Sequence, residues 1–261
     1  MIFLKLGGSL ITDKSRPETA RLDVLNRLAA EIASALQDRP DLRLLIGHGS
    51  GSFGHSVAAR FGTHRGAASA EEWRGFAEVW AVAGRLNRMV VDALRRAGLP
   101  VVGFPPSAST VCEGGAIVEM AHEPVARALR AGLVAVVGGD VAVDRLWGAT
   151  IVSTERVFLA LAHHLRPNRV LLAGLEPGVF ADHPANTKRM DVFTEQDLHR
   201  VSLGGSGATD VTGGMADKVH QALELARSLP GLEVRIFSGE QPGLVGEVLR
   251  GATPGTLVRP A

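Results

Sequence analysis

Short apolar runs alternate with amphipathic helical stretches along this chain, and the first two runs each end in a cluster of glycines. Ile2-Phe3-Leu4 leads into Lys5-Leu6-Gly7-Gly8-Ser9, with Lys14 a few residues beyond. Leu42-Arg43-Leu44-Leu45-Ile46 leads into Gly47-His48-Gly49-Ser50-Gly51-Ser52-Phe53-Gly54-His55. Strand-like runs alternating with helices are the pattern of a mostly parallel sheet covered by helices. Glycine permits positive φ and close backbone approach, so successive N–H groups can converge on one anion. Lysine and histidine at the rims add the charge that phosphates need. The pattern predicts an α/β enzyme that handles phosphate at two cradles.

Further along, residues 24–36 read as a helix with Leu25, Leu28, Ile32 and Leu36 on one face. Residues 71–97 form a longer one, carrying Trp73, Phe76, Val79, Trp80 and Ala83 near its start. A strand is expected at 101–104, a hairpin turn at Gly114-Gly115, a helix at 124–131 and a strand at 133–137 that runs into Gly138-Gly139-Asp140. Helix 154–165, strand 169–173, helix 216–229, strand 232–237 and helix 241–249 follow, with 256–258 as a final edge strand. Residues 181–189 and 204–214 read as mobile loops, the second entering a helix. If Asp210 to Gly214 opens that helix, its exposed N–H groups and positive dipole end make a third anion site, with Lys218 about one turn in. The chain divides into lobes at 1–150 and 151–261 without a true linker.

With 261 residues, 46% hydrophobic and 21% charged, the chain has ample material for the core of a soluble globular protein. A formal net charge of +1 argues against a nucleic-acid binder. The lone Cys112 rules out an internal disulfide and fits a reduced, cytoplasmic setting, where it reads as a core thiol. The N-terminus lacks the basic and long apolar regions of a signal peptide, and no run of about twenty apolar residues is present.

Gly49-Ser50-Gly51-Ser52-Phe53-Gly54 matches G-x-G-x-x-G literally. The acids in the window for ribose recognition, Glu71 and Glu72, fall at the start of a helix and not at the end of a second strand, which disfavours a dinucleotide enzyme. G-x-x-x-x-G-K-[ST] does not occur, so a P-loop is excluded. Instead, the Lys-Leu-Gly-Gly-Ser-Leu-Ile-Thr-Asp-Lys opening, Gly-Ser-Phe-Gly-His at 51–55, His64-Arg65-Gly66, Gly139-Asp140 and Asp-Val-Thr-Gly-Gly-Met at 210–215 resemble the amino acid kinase superfamily. Within it the pattern is most similar to isopentenyl phosphate kinases. The resemblance implies an α/β three-layer αβα sandwich with an open, mainly parallel central sheet, usually in homodimers. It further implies transfer of a phosphoryl group from ATP, with Mg²⁺ held mainly by nucleotide phosphates and water, to isopentenyl phosphate. The N-terminal lobe would hold the acceptor and the C-terminal lobe the nucleotide.

Phosphoryl transfer needs positioning and charge neutralisation more than covalent help. Lys5, with Gly7, Gly8 and Ser9, would cradle the ATP phosphates, and Lys14 would approach the transferred group unless its polar loop is merely solvated. Gly51, Gly214 and Lys218 complete the expected nucleotide contacts. An acceptor that is already a phosphate monoester is largely a dianion at neutral pH and needs a donor to orient it, not a strong base. His55 suits that role, with Gly49, Ser50 and Gly54 around it; Ser50 could donate to the phosphate or narrow the cradle. His48 reads as structural. Phe76 or Trp80 is expected to face the isoprenoid tail, whose five carbons supply on the order of 3–4 kcal/mol on burial. Gly139 and Asp140 would face the substrate, Asp140 and Asp210 serving either as loop organisers or as caps.

The chain departs from the superfamily pattern at two places. Gly174-Leu175-Glu176-Pro177-Gly178-Val179-Phe180 replaces an acidic Thr-Asp-Val-Asp-Gly-Val-Tyr segment, and Ser153-Thr154-Glu155 stands where Ser-Gly-Asp is frequent. Both bear on base and ribose contacts. The competing readings are a sister kinase for another phosphate or phosphonate such as fosfomycin, and a non-catalytic nucleotide sensor.

Overall fold

The computed structural model describes residues 1–201 and 214–260, with His55 and Ser56 described by their backbone alone. The expected contributions of Asp210 and of Gly213 lie outside the described residues, as does most of the loop at 204–214.

In chain order the elements are β1 (Ile2–Leu6), α1 (Gly8–Ile11), α2 (Leu22–Asp38), β2 (Leu44–His48), α3 (Gly51–Phe61), α4 (Ala70–Arg96), β3 (Val101–Gly103), β4 (Thr110–Glu113) and β5 (Ala116–Met120). Then follow α5 (His122–Arg130), β6 (Val134–Gly138), β7 (Asp140–Asp144), β8 (Gly148–Val152), α6 (Thr154–Leu165), β9 (Arg169–Gly174) and β10 (Val192–Phe193). The chain ends with α7 (Gly214–Ser228), β11 (Glu233–Ser238), α8 (Leu244–Arg250) and β12 (Thr256–Val258).

Eight strands form the main sheet in the order β10-β12-β11-β9-β1-β2-β6-β3, and every pairing except β11 with β12 is parallel. Side-chain alternation explains why helices cover both faces. Along β1, Ile2, Leu4 and Leu6 enter a core with Leu28 and Ile32 of α2, Leu86 and Val90 of α4, and Val245 and Val248 of α8. Phe3, between them, points the other way into a core with Leu129 of α5, Phe158 of α6 and Leu223 of α7. The expected three-layer αβα arrangement follows.

The long α4 starts at a capping box, in which the Ser69 hydroxyl accepts from Glu72 N and the Glu72 carboxylate accepts from Ser69 N. Such a box contributes about 1 kcal/mol.

Four differences from the sequence reading matter. A second sheet, in the order β5-β4-β7-β8, was not expected; Asp140 begins β7 and does not end a strand. The glycine turn after β2 is shorter than expected, because Gly51 already starts α3 and His55 lies on that helix. The strand at 256–258 is one position in from the edge, covered by the two-residue β10. The loop 181–189 is tied down: the Asp182 carboxylate accepts from the backbone N–H of Thr187 and Lys188, and Phe180 bridges Arg189.

Candidate active site

Leu6, His48 and Ala173 lie in register across the main sheet, with Gly138 beside His48, so β1, β2, β6 and β9 all end along one edge. Beyond those carboxyl ends, where ligands of open α/β sheets bind, lies a cavity of about 470 Å³. It brings together Lys5, Gly7, Gly8, Ser9, Lys14, Gly49, Ser50, Gly51, Gly54, Gly139, Asp140, Gly214 and Lys218. Residues separated by more than two hundred positions thus share one space.

The two glycine turns touch. A Cβ added to Gly8 would lie 2.5 Å from Gly51 N, and one added to Gly49 would lie 2.7 Å from Gly8 N. Thr12 links them, since its hydroxyl donates to Gly8 O at 2.8 Å and accepts from Ser52 N at 3.0 Å. Gly51 takes φ +50, which a side chain would strain.

Lys5 pairs with Glu155, whose side chain is 7% exposed. Glu155 sits in the first turn of α6, and its neighbour Thr154 donates to His48 O at 2.6 Å. The Ser-Thr-Glu departure therefore has a structural meaning: the threonine docks α6 on the end of β2 and the glutamate reaches the β1 lysine. Lys218 lies on the first turns of α7, and its Nζ would be 3.7 Å from a Cβ at Gly174. Lys14 follows Asp13, whose carboxylate accepts from Ser15 N, Ser15 Oγ and Arg16 Nε. These bonds, the Ser15 hydroxyl first, hold the Asp13 pKa down at about 2 and shape the loop that presents Lys14.

Asp140 is 7% exposed; its carboxylate accepts from Ser107 N at 3.1 Å and from Val141 N at 2.8 Å. Burial pushes its pKa up, partly opposed by those donors. His48 is structural, as expected. It is 1% exposed, Asn87 Nδ2 donates to its Nε2 at 2.9 Å, and its Nδ1–H reaches Gly49 O at 3.3 Å.

Burial lowers the His48 pKa from 6.5 to about 4, so the native ring stays neutral where the unfolded one takes a proton. Above pH 6.5 the residue leaves stability unchanged; between 6.5 and about 4 it costs stability progressively, and below that the loss levels off. The total is about 3 kcal/mol. Chemical denaturation across this pH range checks it: His48→Gln should flatten the acid limb.

The apolar wall departs from the sequence reading. Phe76 and Trp80 do not line the cavity; Trp80 is 53% exposed and Phe76 packs beside Trp73, Ala58 and Val141. Val79 and Ala83, on the adjacent face of α4, line it together with Ala58, Ile151 and Val152. The stripe on α4 thus reaches the cavity through its smaller members, Val79 and Ala83, and not through Phe76 or Trp80. The cavity is also lined by Trp147, Thr150, Arg156, Asp217 and Gln221, which the sequence does not mark, and by His64, Gly114 and Gly115, which it marks only as motif or turn residues. Glu155 had a visible signal, an acid at a strand-to-helix junction, whereas Trp147 and Thr150 belong to the unexpected second sheet.

Comparison with known proteins agrees with this geometry. Residues 1–238 match the model of the Amino acid kinase family. This chain belongs to that family. Among its relatives is an isopentenyl phosphate kinase of Methanothermobacter thermautotrophicus, 36% identical over 96% of this chain and 97% of that protein. Another, from Haloferax volcanii, is 35% identical over 99% of this chain and 98% of the other. A solved isopentenyl phosphate kinase superposes with a TM-score of 0.83 at 32% identity, covering 99% of both chains. The amino acid kinase fold accounts for the parallel sheet, and no helix among the described residues is long and apolar enough to cross a membrane.

Proposed function

We propose that this amino acid kinase transfers the γ-phosphoryl group of ATP to isopentenyl phosphate, giving isopentenyl diphosphate and ADP. The observation that carries the reading is the convergence of two glycine turns and three lysines on one cavity whose further wall is apolar. Near-full-length similarity to isopentenyl phosphate kinases supports the choice of acceptor.

In this reading Lys5, Gly7, Gly8, Ser9, Gly51, Gly214 and Lys218 hold the nucleotide phosphates, and Lys14 stabilises charge on the transferred group. Gly49, Ser50, Gly54, His55 and Gly139 hold the acceptor phosphate, with Asp140 facing the same side. Val79, Ala83 and Ile151 take the tail that Phe76 and Trp80 were expected to meet. Asp140 orients the loop at Ser107. Mg²⁺ bound with the nucleotide, held mainly by its phosphates and water, would supply charge neutralisation for the transfer. Residues 1–150 take the acceptor and 151–261 most of the nucleotide, whose phosphates reach across to the first glycine turn. The working form is a cytoplasmic homodimer.

ADP release measured with isopentenyl phosphate and with fosfomycin as alternative acceptors tests the assignment. Preference for the phosphonate would replace it, and ATP binding without turnover on either would favour a sensor. His55→Ala should lower kcat about a hundredfold while ATP affinity stays within about twofold. Unchanged turnover would remove His55 from the acceptor site.

A further inference from the structure

Asp144 closes β7 just outside the residues given roles above, yet the residue is 2% exposed and both its carboxylate oxygens are engaged. Oδ1 accepts from Gly114 N at 3.1 Å, Leu146 N at 2.9 Å and Trp147 N at 2.9 Å, and Oδ2 accepts from Gly115 N at 2.7 Å. These donors come from two separate turns. Gly114 and Gly115, at φ +58 and +81, close the β4–β5 hairpin, and Leu146 and Trp147 belong to the β7–β8 turn.

Gly114, Gly115 and Trp147 all line the cavity. The indole lies on the hairpin, since a Cβ at Gly115 would be 2.8 Å from its Cζ3. Trp147 O accepts from Ala67 N at 2.8 Å, close to the cavity residue His64, and Gly115 O accepts from Arg156 Nη1 at 2.6 Å. Arg156 adjoins Glu155, the partner of Lys5. Through β8 the same turn continues to Ile151 on the apolar side. The wall therefore meets the cavity beside the apolar residue Ile151.

We propose that Asp144 is a positioning residue for the phosphate acceptor, its carboxylate fixing the two turns as a single wall against which the acceptor is held. This rests on the kinase reading above. Four backbone donors make the anion the required form: burial pushes its pKa up, but the N–H groups hold it below the usual value. An asparagine of the same shape presents N–H₂ where an acceptor is needed, so the turns separate.

Steady-state kinetics with isopentenyl phosphate and ATP varied separately tests this in Asp144→Asn and Gly115→Ala. Gly115→Ala displaces the hairpin at the indole while leaving the carboxylate intact, and it decides the matter if Asp144→Asn does not fold. Both should raise KM for the acceptor about tenfold with KM for ATP within about twofold. A purely structural role predicts lower Tm with both KM values unchanged or rising together, and either result in a folded variant overturns the proposal. A wild-type enzyme inert to isopentenyl phosphate overturns the choice of acceptor instead, and fosfomycin then serves as the varied acceptor in the same comparison.

Discussion

Lys5→Met should lower kcat/KM about a thousandfold, and adding Glu155→Gln to it should recover about tenfold. The lysine and glutamate face each other with side chains only 14% and 7% exposed, so each is the main counter-charge of the other. On the proposed function, removing the ammonium does more than delete one phosphate ligand. It leaves a buried carboxylate at the place where the polyphosphate must settle. Two like charges about 5 Å apart at an effective dielectric near 20 repel by about 3 kcal/mol, more than enough for a tenfold recovery once the second charge is removed. Glu155→Gln alone should be milder, about tenfold, because the lysine keeps its role but loses its orientation. Single-turnover rates of the three variants form a double-mutant cycle. Equal rates for Lys5→Met and the double variant would show that Glu155 does not face the transferred charge.

Gly8→Ala should disable the site by a different route. Its new Cβ would fall 2.5 Å from Gly51 N and 2.7 Å from Gly51 Cα, both backbone atoms with no rotamer to escape into. The turns must part, and the Thr12 hydroxyl, which bonds to both, cannot follow the two at once. Overpacking of this kind costs about 3 kcal/mol, or a fall in Tm of roughly 6–12 °C for a chain of this size. Misplacing the cradle by about 1 Å should lower kcat/KM a further hundredfold or so. Gly84→Ala in α4 is the control: its Cβ would meet nothing within 4 Å, and helix propensity favours the change by up to about 1 kcal/mol. Comparable melting temperatures for the two variants would refute the packing argument.

Periodicity made the main sheet legible, because strands such as 169–174 are apolar on both faces and the helices between them are amphipathic. The boundaries at 154–165 and 256–258 coincide with the observed α6 and β12. The start of α3 was hidden because Gly51, Ser52 and Gly54 are poor helix formers; tertiary contact with Thr12 and Gly8 overrides their preference. The β7–β8 hairpin was hidden because Asp140 and Gly148 read as loop residues, and because Val143, 46% exposed, lacks a polar partner to mark alternation. The glycines and lysines that line the cavity were visible because charge beside a flexible turn has few other uses. The apolar side of the cavity was only half legible: Val79 and Ala83 belong to the stripe visible on α4, but nothing in the sequence ranks them above the larger Phe76 and Trp80.

The central place of β1 has a consequence for biosynthesis. Its one flank pairs with β2, made soon afterwards, but the other pairs with β9, which starts at Arg169. At roughly 5–20 residues per second, the ribosome needs on the order of ten seconds or more to supply that neighbour. During the interval β1 carries an open edge of hydrogen-bonding groups that nascent-chain chaperones would need to shield.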